Sequence, residues 1–176
     1  IEEAEAAFYE QAKALYEGGV DLFILETFYD LNEIHQAIKA IQKLGDKPII
    51  ASMTINEEGN ALYGTTADVF TTKLDSWGAF IIGLNCSVGP KAMFDTIERM
   101  RPLTQKHLIC QPNAGAPRVI DGRMIYLCNP EYFGEYAKRF MQGGVRIVGG
   151  CCGTTPEHIK WAAKSVRALS PSSQKF

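Results

Sequence analysis

The stretch Gln142-Gly143-Gly144-Val145-Arg146-Ile147-Val148-Gly149-Gly150-Cys151-Cys152-Gly153-Thr154-Thr155-Pro156-Glu157-His158 holds a helix end, a strand, a turn and a helix start in one run. Gly143-Gly144 closes a helix, and Val145 to Val148 is a short apolar strand. Two cysteines then stand side by side among glycines. Successive strand side chains point to opposite faces, so adjacent thiols cannot ordinarily serve one site. Glycine lifts that limit by opening backbone conformations closed to other residues. With Gly149, Gly150 and Gly153 around them, both sulfurs can turn toward one point above the strand end. Thr154 or Thr155 caps the next helix, Pro156 suits its first turn and Glu157 suits its positive end. Alone, the turn leaves two readings open: a site for a sulfur-bound ligand, or a cradle for phosphate at the helix start.

Working outward, the same pattern recurs. Glu17-Gly18-Gly19-Val20 echoes Gln142-Gly143-Gly144-Val145, each joining a helix to a strand. Residues 2–17 carry Phe8, Ala12 and Leu15 at helical spacing. Leu22 to Leu25 reads as a strand buried on both faces. Asp30 and Glu33 form a capping-box pair for a helix with Leu31, Ile34, Ile38 and Ile41 as its inner stripe, ended by Gly45. Pro48 to Met53 is a strand, followed by a polar hairpin-like loop at 56–60. Ala67 to Trp77 reads as helix, Phe80 to Leu84 as strand, Pro90 to Met100 as helix and His107 to Gln111 as strand. The Gly- and Pro-rich segment from Pro112 to Asn129 reads as a long loop. Helices follow over Pro130 to Met141 and, after the last strand, over Pro156 to Leu169. The tail 170–176 has no apolar face and is expected to be disordered.

Five strands alternating with six helices predict an α/β fold with a parallel sheet and helical crossovers. Six residues beyond Val20 and Val145 lie Glu26 and Cys151, and a similar count from Ala79 reaches Asn85, next to Cys86. Glu26, Cys86 and Cys151 are therefore expected at the C-terminal ends of their strands, at one height. That edge is where barrels and open α/β sheets gather their active sites.

The 176 residues are 46% hydrophobic and 22% charged with a net charge of -2, enough for a real core and without any basic stripe. Nucleic acid and acidic membrane surfaces are not expected partners. No apolar run approaches the roughly 18 residues of a membrane span, and the opening Ile1-Glu2-Glu3 does not resemble a signal peptide. Five cysteines, an odd number with two adjacent, do not form a disulfide framework and point to a reducing cytoplasm.

Three motifs carry a resemblance. Gly83-Leu84-Asn85-Cys86-Ser87-Val88-Gly89-Pro90, Gln111-Pro112-Asn113-Ala114-Gly115 and Gly149-Gly150-Cys151-Cys152-Gly153-Thr154 resemble those of the zinc-dependent homocysteine S-methyltransferase family. That family includes the homocysteine modules of cobalamin-dependent methionine synthase and betaine-homocysteine methyltransferase. The resemblance covers residues 1–169 and implies a (βα)8 TIM barrel, of which this chain would supply the fourth to eighth βα units. It implies that Cys86, Cys151 and Cys152 bind zinc, that Glu26 holds the homocysteine amino group and that Asn113 lines the pocket. The family's glycine-rich motif on its first strand, which helps hold the carboxylate, is not in this sequence.

The implied chemistry is coherent. Three thiolates and one open position describe a catalytic rather than a structural zinc. A substrate thiol entering that position ionises and stays nucleophilic. The implied reaction is methyl transfer to homocysteine, giving methionine. Methylcobalamin, S-adenosylmethionine, S-methylmethionine or betaine would be the donor, and cobalamin or folate would be carried by other domains. A non-catalytic zinc scaffold and a phosphate-binding barrel enzyme such as an aldolase are the competing readings; the latter lacks a Lys or Arg in the strand-end motifs. Cys110 reads as core, and Cys128, in a loop, as no ligand. His35 and His107 are likewise not ligands, and for His158 a supporting role competes with a purely helical one. The strands at 22–25 and 145–148 would each lack a neighbour. An upstream continuation of about three units, or another chain, is expected to cover them.

Overall fold

The computed structural model describes residues 2–167 and 169. The expected disordered tail at 170–176 lies outside the described residues, and the last helix, read from sequence as running to Leu169, ends at Val166. Helix α1 (Glu2–Glu17) leads into β1 (Phe23–Phe28), α2 (Leu31–Gln42) and β2 (Ile49–Met53). Next come α3 (Ala67–Ser76), β3 (Ile81–Asn85), α4 (Pro90–Met100) and β4 (His107–Gln111). A hairpin of β5 (Pro117–Ile120) and β6 (Arg123–Tyr126) precedes α5 (Pro130–Gln142), β7 (Val145–Val148) and α6 (Pro156–Val166).

Two sequence expectations need correction. The first strand does not stop at Leu25 but runs on to Phe28, so Glu26 sits inside it. The segment 112–129 is not a bare loop, because β5 and β6 pair antiparallel with Ile120 opposite Arg123. Asp121 and Gly122, at φ 50 and 72, make the connecting turn. Positive φ at both central residues is what a two-residue hairpin of this twist requires, and Asp-Gly supplies it. The capping box expected at Asp30 and Glu33 is half present: the Asp30 carboxylate accepts from the backbone N–H of Asn32 and Glu33 at 2.7 and 2.9 Å.

The main sheet has five strands in the order β1-β2-β3-β4-β7, all parallel. The order never reverses, so every crossover steps the same way, and such crossovers stack their helices on one face. The buried residues confirm it. Phe23, Ile49, Ala51, Met53, Ile82, Leu84, Leu108, Cys110 and Val145 from the strands join Ile34, Ile38, Phe70, Leu74, Met93, Ile97 and Phe140 from the helices in one cluster. Each Val, Leu, Ile, Phe or Met side chain among them contributes roughly 1.5–3 kcal/mol on burial. Truncating Phe70, which is fully buried, would cost about 3–5 kcal/mol.

Among the described residues the opposite face holds a small cluster of Ile50, Ile81 and Ile109, and Ile24 and Ile147 are exposed. Among the described residues, β1 and β7 each pair on one side only. No described helix is long and apolar enough to cross a membrane.

Candidate metal centre

The C-terminal ends of β3, β4 and β7 are stitched together by backbone hydrogen bonds, and these position the thiols. Leaving β3, Cys86 and Ser87 both adopt left-handed backbone (φ 65 each), uncommon outside glycine. This turn is held by Cys86 N–H donating to the Gln111 carbonyl at 3.0 Å and Val88 N–H to the Cys86 carbonyl at 2.8 Å. Leaving β7, Cys151 N–H donates to the Pro112 carbonyl at 2.9 Å and Cys152 N–H to the Asn113 side-chain oxygen at 3.0 Å. The Cys152 carbonyl accepts from Ala114 N–H at 2.9 Å. The loop after β4 thus lies between the two cysteine turns and bonds to both.

The sulfurs of Cys86, Cys151 and Cys152 all lie within 4.8 Å of one another, with Cys86 and Cys152 at 3.7 Å. Three ligands on a tetrahedral zinc, each about 2.3 Å from the metal, stand roughly 3.8 Å apart, so the spacing fits. The donor chemistry agrees. Cys151 is pushed up to about 12, by burial first and then by its hydrogen bond with Cys86. Three crowded thiols cannot all ionise without a cation among them, and a divalent ion of thiophilic character answers that need. All five cysteines are free. Among the described residues, no further His, Cys, Asp or Glu joins the trio.

The other sequence candidates fall into place as follows. Asn113 is 2% exposed and spends its carboxamide oxygen on Cys152 N–H, so it holds the cysteine turn. Glu26 is exposed on β1, in a bulge where Glu26 and Thr27 together face the single residue Ser52. Thr27 has a left-handed backbone at φ 65. Its N–H donates to Asn85 Oδ1 at 2.8 Å, and Asn85 Nδ2 donates to Thr27 Oγ1 at 2.7 Å. Cys110 is fully buried in the main core, where burial pushes its thiol up. Cys128 stays apart from the trio. His35 stacks on Trp77 at 3.7 Å, and His107 is exposed at the start of β4. His158 completes the capping box of α6, its Nδ1 accepting from Thr155 N–H at 3.2 Å, and its Nε2 meets the Cys128 carbonyl at 2.8 Å. That pairing assigns the proton to Nε2 and ties the start of α6 to the base of the hairpin.

Tyr126 is the site residue that the sequence reading missed. It packs directly on Gly153, where a Cβ would come within 2.2 Å of the Tyr126 ring. Burial, and after it Cys152, raises its hydroxyl above the ordinary value. The overlooked signal was Ile120-Asp121-Gly122-Arg123, an Asp-Gly turn with Val119-Ile120 before it and Met124-Ile125 just beyond Arg123.

A parallel βα sheet carries at its C-terminal rim a three-thiol cluster that could hold a metal ion. Residues 1–166 match the homocysteine S-methyltransferase family, and the chain belongs to it. It is similar to the Escherichia coli homocysteine methyltransferase MmuM in its apo form, at 22% identity and TM-score 0.74 over 92% of this chain and 57% of that one. The metallated form of MmuM matches at 22% identity and TM-score 0.73, over 93% of this chain and 52% of that one. The chain thus spans little more than half the length of these relatives. A more distant likeness, at 14% identity and TM-score 0.59, is to Rhizobium etli pyruvate carboxylase, covering 84% of this chain and 14% of that one. Identities this low carry the fold.

Proposed function

We propose that the chain is the thiol-activating part of a homocysteine S-methyltransferase, giving methionine. The observation that carries it is the convergence of Cys86, Cys151 and Cys152 from two separate rim turns to within 4.8 Å in a chain of this family. These three residues would hold zinc, which when bound supplies the ionisation of a substrate thiol at neutral pH. Glu26 pairs the substrate ammonium and orients it. Asn113 fixes Cys152 and, with its amide nitrogen unpartnered among the described residues, lines the pocket. The chain's likeness to MmuM, of which one form is metallated, supports the metal.

On this reading residues 1–169 form the C-terminal part of a (βα)8 barrel, with β1, β2, β3, β4 and β7 as its fourth to eighth strands. The sequential strand order, the single helix-covered face and the two open edges support that assignment. Further domains or chains would then supply the remaining strands and the methyl donor, and free thiols suit the cytoplasm.

Metal analysis of the full-length protein tests the proposal, combined with X-ray absorption at the zinc edge. One zinc per chain is expected, with three sulfurs alone and four in the presence of homocysteine. A closed four-ligand site unchanged by homocysteine would make the metal structural instead.

A further inference from the structure

Thr27 is the most strained residue near the rim. A β-branched side chain at φ 65 costs on the order of 1–3 kcal/mol and persists only where its surroundings impose it. Here one residue does so. Asn85 is completely buried, and both ends of its carboxamide are committed to Thr27: the oxygen takes the backbone N–H at 2.8 Å and the nitrogen donates to Oγ1 at 2.7 Å. The Asn85 carbonyl is itself held, accepting from Thr54 Oγ1 at 3.1 Å. So the end of β3 is anchored through β2 before it reaches β1.

The covalent neighbours give this bond pair its meaning. Asn85 precedes Cys86, a member of the sulfur trio, and Thr27 follows Glu26. The chain of contact Glu26–Thr27···Asn85–Cys86 therefore runs from carboxylate to sulfur through two hydrogen bonds and two peptide units. The bulge that this contact stabilises sets Glu26 and Thr27 against the single residue Ser52, and a bulge is the ordinary device for re-aiming a side chain beside a site. The sulfur turns are bonded to the loop after β4, not to β1. Among the described residues, no other side-chain hydrogen bond of Thr27 ties Glu26 to the metal side of the rim.

We propose that Asn85 is a positioning residue that sets the separation between the Glu26 carboxylate and the sulfur trio, and so selects the chain length of the amino-acid thiol. The inference rests on the homocysteine reading of the site. A substrate gripped at its ammonium and at its sulfur is measured by that separation. Homocysteine exceeds cysteine by one methylene, and loosening the grip relaxes the measure. One methylene is ordinarily discriminated by about 10–200-fold.

The test uses the full-length zinc-loaded protein, with Asn85→Ala and Thr27→Val compared with wild type. Thr27→Val replaces the hydroxyl of an exposed residue by a methyl group and keeps the β-branched shape, so it remains informative if Asn85→Ala does not fold. Thr27→Ser, which keeps the hydroxyl, is the rescue control. Both damaging variants should keep one zinc per chain in chelator competition. Their KM for homocysteine should rise at least tenfold with a smaller change in kcat, and their preference for homocysteine over cysteine should fall at least fivefold, restored in Thr27→Ser. Equal loss toward both thiols, or unchanged KM and preference, overturns the inference while leaving the homocysteine reading intact. Wild-type protein that neither binds nor methylates homocysteine overturns that reading and the inference with it.

Discussion

Cys152 and Glu26 stand on one rim but are held differently. Cys152 has its N–H and carbonyl bonded to Asn113 and Ala114, and the glycine after it lies against Tyr126. Glu26 stands exposed on a strand paired on one side only. The sulfur side is assembled from three adjacent strands and a hairpin, so its geometry is complete within these residues. The carboxylate side leans on one buried amide. Metal binding and substrate binding should therefore fail separately, and substitutions on the two sides can separate them.

The largest effect is expected on the sulfur side. Cys151→Ala removes one of the three proposed ligands, so stoichiometric zinc should be lost in metal analysis after dialysis, with methyl transfer falling at least about 10³-fold, while circular dichroism stays native. A Cys151→Ala protein retaining a full equivalent of zinc would end the ligand assignment. Next comes Gly153→Ala, at φ 75, where the added methyl meets the Tyr126 ring. Zinc affinity should drop by about 10–100-fold, the usual result of disturbing groups that support ligands, and a chelator titration reads it directly.

On the other side, Glu26→Gln should leave zinc affinity unchanged and weaken homocysteine binding by roughly 1.5–3 kcal/mol, as expected for a hydrogen bond to a charged group. Isothermal titration with homocysteine measures this; a parallel loss of zinc would show the two sides to be one unit. The mildest expected effect is on pH dependence. In the metal-free protein Cys151 keeps its proton up to about 12, against an ordinary thiol value of 9.0. Folding then binds the proton more tightly than the unfolded chain does. Stability should be unaffected below pH 9 and should decline as pH rises from there toward 12. The zinc-loaded protein should not share that decline, and lower pH should instead weaken its hold on zinc as protons compete for the thiolates. Denaturant melts at pH 8 and 10.5, with and without zinc, compare the two.

Much of this was legible because parallel strands buried on both sides are written as unbroken apolar runs. His107 to Gln111 falls where its run placed it, and the strand read over Phe80 to Leu84 lies one residue later, at Ile81–Asn85; counting from the strand starts brought Cys86 and Cys151 to one rim. Glu26 was found by the same count, although its strand runs two residues further. The bulge at Glu26-Thr27 leaves no such trace, because it depends on an amide from a strand 58 residues away in sequence. The hairpin was legible in Asp121-Gly122, but short exposed strands lack the apolar run that marks the others.

The sequence by itself determined the alternation of elements, the apolar runs and stripes and the identity of the thiols, since each depends on local spacing and on side-chain chemistry. Only the tertiary structure decided which atoms meet. It put the loop after β4 between the two cysteine turns, laid Tyr126 over Gly153 and made Asn85 the clamp on Thr27. These contacts join residues far apart along the chain through directional hydrogen bonds and close packing. Such partners are selected by strand register and loop path, which no single stretch of sequence encodes.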